Sequence, residues 1–156
     1  MRRVLVTGMS GTGKSSALAE LARRGFRVVD TDFGGWSEWV DEGWYWRERR
    51  MSDLLAENGD ATLFVSGCVS NQGKFYDRFD AVVLLSAPAE VLLERIGGRT
   101  TSDYGKAPAE RELVLHHLET VEPLLRRTST HELDAARPLE EVVDELAAIG
   151  EAPSER

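Results

Sequence analysis

The sequence has one cysteine, Cys68, so no disulfide framework can hold the fold. It has no apolar run near the roughly 18 residues of a membrane-spanning helix. The opening MRRVLVTG contains an apolar run far too short for the core of a secretory signal. With a single thiol and no export signal, the expected location is the cytoplasm. Basic residues are the minority, 19 against 27 acidic, for a net charge of −8. That argues against a general nucleic-acid binder, which carries a basic face, but not against a phosphate ligand, which needs only a few local donors. The three histidines fit no zinc spacing, and His116 and His117, adjacent on an expected helix, cannot both face one site. There is no internal repeat and no linker rich in Gly, Ser or Pro.

What remains is a chain of 156 residues with 42% hydrophobic and 29% charged residues, ordinary values for a soluble globular protein. The expectation is one domain over residues 1–150, with a frayed tail at 151–156. Strand-like apolar runs occupy residues 2–8, 26–30, 61–67, 80–87 and 130–134. Helical periodicity predicts helices over residues 15–24, 47–57, 88–96, 110–127 and 138–149, with Pro123 bending the fourth near its end. Residues 33–46 are aromatic and Gly-rich and receive no assignment, although Trp36 to Trp39 is spaced as one helical turn. Residues 97–108, with three glycines and a proline, read as a loop. Five apolar strands alternating with helices imply an α/β fold, a five-stranded, mainly parallel sheet covered on both faces.

The strongest motif follows the first strand. Gly8-Met9-Ser10-Gly11-Thr12-Gly13-Lys14-Ser15 satisfies GxxxxGK[ST] between a strand and a helix, the context a phosphate-binding loop requires. Such a loop turns its backbone N–H groups around phosphate oxygens, and the helix N-terminus adds its positive end. Gly8, Ser10, Gly11, Thr12, Gly13, Lys14, Ser15 and Ser16 are therefore the nucleotide-binding candidates. Lys14 can reach the β- and γ-phosphates, and the Ser15 hydroxyl can ligate Mg2+.

A base-reading NKxD is missing, which excludes small GTPases, and large motor ATPases need more chain. An apolar strand ending in Asp is absent from the third and fourth strands and appears on the second, as Val28-Val29-Asp30-Thr31-Asp32. Asp30 is the candidate for the metal, and Asp32 for accepting the proton of an attacking hydroxyl. The alternative is a strand-ending pair that only makes turn hydrogen bonds.

The phosphate loop, the VVDTD strand end and the Glu94-Arg95-Ile96-Gly97-Gly98-Arg99 segment together resemble the small P-loop kinases of the shikimate kinase, gluconate kinase and adenylate kinase group. The resemblance implies a three-layer P-loop NTPase fold with a lid loop, here about residues 97–108. It implies that Arg95 packs on adenine and Arg99 contacts phosphates, although two solvated arginines at i and i+4 are also common. Lys106 and Arg111 are further lid cations. By the same resemblance, residues 133–139 form the turn beside adenine, with Arg137 either at the base or on the surface.

The acceptor is expected in the crevice at the carboxyl ends of the strands. Its candidates are Asp32, Trp36, Arg47, Ser66, Gly67 and Asn71, with Gln72 nearby. All four tryptophans, Trp36, Trp39, Trp44 and Trp46, lie between the second and third strands, suited either to stacking or to packing. Arg47, Arg49 and Arg50 can clamp an anion or form a solvated helix face. Ser66-Gly67-Cys68 departs from the glycine triplet of shikimate kinases, which argues against shikimate itself. Cys68, without a His or Cys partner, reads as a structural thiol. The reading is an ATP- and Mg2+-dependent phosphotransferase, acting as a monomer on a hydroxyl of a nucleoside, sugar derivative, shikimate-like compound or antibiotic. Catalysis is assigned to Lys14, Asp32 and Arg99. A nucleoside monophosphate kinase and a nucleotide-binding switch protein that turns over little or no ATP are the alternatives.

Overall fold

The computed structural model describes residues 1–99 and 105–152. Five strands form one parallel sheet: β1 (Arg3–Gly8), β2 (Arg27–Asp30), β5 (Leu63–Ser66), β6 (Ala81–Ser86) and β7 (His131–Asp134), in the order β2-β5-β1-β6-β7. The helices are α1 (Lys14–Arg23), α2 (Glu48–Leu55), α3 (Ala89–Gly98), α4 (Pro108–Thr120), α5 (Glu122–Thr128) and α6 (Leu139–Glu151). Parallel strands buried on both faces are near-continuously apolar, and β1, β5 and β6 are, apart from Arg3, Thr7, Ser66 and Ser86. Alternate residues then serve opposite layers. Val4, Val6, Phe64, Val83 and Leu85 pack under α1 and α6 with Leu18, Leu21, Val143 and Leu146. Leu5, Leu63, Val65 and Val82 face Trp46, Met51, Leu54 and Leu55 on the other side, where Leu84 meets Leu92 and Leu125. The result is the expected three-layer sandwich.

Leaving β1, the chain passes to β2 and β5 on one side of it and later to β6 and β7 on the other. The switch point therefore lies at the carboxyl end of β1, where open α/β sheets bind ligands.

Three segments differ from the expectation. The unassigned stretch is an antiparallel hairpin, β3 (Ser37–Val40) with β4 (Gly43–Trp46), so Trp36 to Trp39 is not a helical turn. Asp41 turns the chain at φ 55°, and aromatic residues suit the extended backbone on either side. The helix foreseen over residues 110–127 is two helices broken at Val121, because Pro123 lies in the first turn of α5, where its missing N–H costs nothing. The loop foreseen over 97–108 is shorter: Gly97 and Gly98 complete α3, and Pro108 opens α4. Its centre, residues 100–104, lies outside the described residues, as do 153–156 of the tail. A 3-10 helix over Gln72–Arg78 links β5 to β6. Among the described residues, no helix is long and apolar enough to cross a membrane.

Candidate active site

The site begins where β1 ends. Thr12 N–H and its hydroxyl both donate to the Met9 carbonyl, at 3.3 and 2.9 Å, closing the loop into a tight turn. Gly13, at φ 90°, leads into α1. That helix has no side-chain cap and no acidic residue in its first turn, so its N-terminal N–H groups and positive dipole end are left for an anion. Lys14 Nζ folds back to donate to the carbonyls of Gly8 and Met9 at 2.6 and 3.1 Å. Gly11 is fixed by close approach: a Cβ there would stand 2.8 Å from the Leu92 carbonyl oxygen of α3. Ser15 and Ser16 are exposed at the helix start.

The carboxylate pair comes from the end of the edge strand β2. Asp30 Oδ2 accepts a hydrogen bond from Ser15 Oγ at 2.5 Å. Its Oδ1 accepts from the Asp32 N–H at 3.1 Å. Asp30 thus does both things the sequence allows, making a turn bond with one oxygen and reaching the phosphate loop with the other. Asp32 is exposed, and its Oδ1 takes a long hydrogen bond, 3.4 Å, from the Trp44 indole N–H.

Thr31, between the two aspartates, is wholly buried and fully bonded. Its N–H and hydroxyl both donate to the Ser66 carbonyl, at 3.0 and 2.8 Å. Its carbonyl accepts from Ser37 Oγ at 2.8 Å, and its hydroxyl accepts from the Trp46 indole at 2.8 Å. With Thr31 held by four hydrogen bonds to three residues, the carboxylates on either side of it diverge, Asp30 to the phosphate loop and Asp32 to the hairpin. Trp44 has no motif signal; the hairpin brings it to Asp32.

The remaining acceptor candidates are engaged within the chain. Ser66 is buried and receives Thr31 through its carbonyl. Gly67 is a close approach, since a Cβ would lie 2.4 Å from Thr31 Oγ1. Asn71, 6% exposed, accepts from Trp46 N–H and donates to the Trp46 carbonyl and Glu48, which closes its amide to a ligand. Gln72 is similarly bound to Val69, Thr7 and Tyr76. Trp36 carries the Arg50 guanidinium 3.9 Å above its ring, and Arg50 also donates to the Gly34 carbonyl. Arg47 pairs with Glu38 at 2.8 Å and Arg49 with Asp53. The anion clamp considered for Arg47 and Arg50 is therefore taken up by the chain's own groups.

On the nucleotide side, Arg95 stands against the phosphate loop, with Nη1 3.4 Å from the Gly11 carbonyl oxygen. Arg99 caps the end of α3, and Lys106 donates to its carbonyl at 2.6 Å, which joins the two ends of the lid segment. Arg137 pairs with Glu145 at 2.7 Å and donates to the Asp134 carbonyl. Cys68 packs with Met9, Leu84, Leu92 and Leu125. Burial pushes its thiol up, against the opposing pull of Lys14 and a Thr7 hydrogen bond, while the Asp32 charge adds to the rise. The residue read as plain packing thus lies within electrostatic reach of both Lys14 and Asp32.

This geometry has close parallels. A family model described as an AAA domain matches residues 4–116. The chain is 30% identical to shikimate kinase 2 of Yersinia enterocolitica over 165 aligned positions, covering 94% of each protein. Its fold superposes on a shikimate kinase from Bacteroides thetaiotaomicron with a TM-score of 0.67, at 18% identity, over 97% of this chain and 99% of the other. A gluconokinase from Sinorhizobium meliloti superposes at 0.61, with 25% identity, over 96% and 94%. With a family model over most of the chain and a shikimate kinase 30% identical along nearly its whole length, the chain belongs to the shikimate-kinase-like family of P-loop kinases.

Proposed function

We propose that this protein is an ATP-dependent kinase that moves the γ-phosphoryl group of Mg-ATP to a hydroxyl of a small metabolite. The observation that carries the reading is the 2.5 Å contact between Ser15 Oγ and Asp30 Oδ2, which joins the phosphate loop to a strand end whose next carboxylate, Asp32, stands exposed. Ser15 and Asp30 are hard oxygen donors already side by side, which fits Mg2+. When bound, Mg2+ neutralises charge across the β- and γ-phosphates.

The chain's own groups do the rest. The N–H groups of residues 8–16 bind the phosphates, and Lys14 exchanges the carbonyls of Gly8 and Met9 for phosphate oxygens. Asp32 orients the acceptor hydroxyl and takes its proton as the new O–P bond forms and the β–γ bridge bond breaks. Arg95 flanks the nucleotide, and Arg99 brings positive charge to the transferring group as the lid closes. In this reading residues 1–150 act as one domain, in a cytoplasmic monomer.

ADP release from Mg-ATP, measured against a panel of alcohols, tests the proposal. One acceptor should stimulate release, and Asp32→Asn should lower that stimulated rate by about 10²–10⁴-fold while ATP binding is retained. Wild-type turnover in Asp32→Asn would remove the base assignment.

A further inference from the structure

The hairpin has two faces with different fates. Paired residues share a face and successive pairs alternate, so Ser37, Trp46, Trp39 and Trp44 lie on one side and Glu38 and Tyr45 on the other. At its inner end the first face is buried: Ser37 is 8% and Trp46 1% exposed, and both are bonded to Thr31. At its outer end the same face opens. Trp39 is 70% exposed, its ring centroid 5.1 Å from that of Trp44 and tilted by 43°. Trp44 in turn reaches Asp32 with its indole N–H. Phe33, the residue after Asp32, is 60% exposed. A continuous aromatic surface therefore runs out from the proposed catalytic carboxylate, and packing within the chain does not account for its exposed end.

Three cations of the neighbouring elements are engaged by groups other than the indole pair. Arg47 pairs with Glu38, on the opposite face of the hairpin. Arg50 is stacked on Trp36 and tied to Gly34, and Lys74 is paired with Glu48. The charged side chain in contact with the indole pair is Asp32, through the Trp44 N–H.

Resting on the kinase reading above, we infer that Trp39 and Trp44 form the acceptor platform and that the acceptor is a neutral or cationic alcohol with a flat ring, not a carboxylate or phosphate. One ring face stacks on the indoles and the hydroxyl is delivered to Asp32. Trp39 contributes affinity; Trp44 does so too and also positions the Asp32 carboxylate through its N–H.

The test uses matched probes: adenosine against AMP, methyl shikimate against shikimate, and phenyl glucoside against glucose. Binding is read by quenching of tryptophan fluorescence and transfer by ADP release from Mg-ATP. The first, neutral and ring-bearing member of each pair should bind at least about tenfold more tightly than the second. Trp39→Ala, a change at an exposed position, should raise KM by about tenfold or more at nearly unchanged kcat, and Trp39→Phe should restore most of it. Equal or tighter binding of the acids, absence of quenching by every neutral ring-bearing alcohol, or an unaltered KM in Trp39→Ala would overturn the platform. Probe binding that is lost in Trp39→Ala, with no ADP release in wild type, would instead sustain the platform and overturn the kinase reading.

Discussion

The indole N–H of Trp46 donates to the hydroxyl of Thr31 at 2.8 Å, with both residues essentially inaccessible to solvent. This bond fastens the hairpin to the dipeptide step between Asp30 and Asp32. Through it, the positions of two carboxylates on a sheet edge depend on a segment that pairs only with itself.

Removing one partner of that bond should therefore affect both stability and transfer. Thr31→Val leaves the buried indole N–H unsatisfied and should cost about 1–3 kcal/mol in urea unfolding. Trp46→Phe removes the donor and leaves a gap beside Phe75 and Phe79, which pack on that ring. Any acceptor-stimulated ADP release should fall in both variants at temperatures where they remain folded. Unchanged rates in both would show that the carboxylates hold their positions without the hairpin.

Gly67→Ala should be damaging although its neighbours are side chains. The new Cβ would lie 2.4 Å from Thr31 Oγ1 and 3.2 Å from Trp46 Nε1, two atoms bonded to each other. Neither can retreat without breaking that bond, so a loss of about 1–3 kcal/mol is expected. Gly73→Ala, with no atom within 4 Å of the added Cβ, is the control and should unfold at nearly the wild-type midpoint.

Arg126 bridges Glu122, at 2.8 Å, and Glu132, at 2.9 Å. Glu122 is 7% exposed and its Oε2 has no partner, so Arg126→Ala would strand a buried carboxylate. Because Arg126 is itself 45% exposed, the loss should be moderate, about 1–3 kcal/mol, and a Glu122→Gln/Arg126→Ala double variant should recover part of it. Arg126 first, then the Ser86 hydroxyl, holds the Glu132 carboxyl below its ordinary value. That stabilisation is present above the ordinary carboxylate range and is lost as pH falls through the lowered value. Stability of Arg126→Ala measured from pH 7 to pH 3 should accordingly fall less steeply than that of wild type.

Cys68 should resist alkylation. Its thiol is raised by burial, so at pH 8 the folded protein carries less thiolate than the unfolded chain. Iodoacetamide should modify the native protein many-fold more slowly than the urea-unfolded protein, by mass spectrometry. The fold holds this proton, so native stability is unaffected below the ordinary thiol range and declines as pH rises toward the raised one. Equal modification rates in the two states would contradict the burial argument.

Features governed by local sequence were legible in advance. The phosphate loop is a contiguous string whose glycines, lysine and serine act through the backbone of one turn, so spacing alone identifies it. Apolar runs identified the central strands because strands buried on both faces are near-continuously apolar; the edge strands β2 and β7 are less buried and were found from shorter runs. The VVDTD strand end was visible for a similar reason, as charge abruptly ending an apolar run. Trp36, Arg47 and Asn71, expected as ligand contacts, are engaged by the chain's own groups, and residue type does not tell whether a polar or aromatic group meets a ligand or its own chain. Arg50 on Trp36, Glu38 with Arg47, and Trp46 around Asn71 are pairings made only by folding.

By itself, then, the sequence determined a nucleotide-type phosphate loop on a parallel α/β sheet, with two aspartates at a strand end. Periodicity and motif spacing are properties of neighbouring residues, and these features rest on them. Tertiary structure alone decided that residues 37–46 form a hairpin, that its Trp46 anchors Thr31, and that Trp44 meets Asp32. Those contacts join residues 12 and 15 positions apart. Their register depends on which face of the hairpin the core buries, and only the packed molecule settles that.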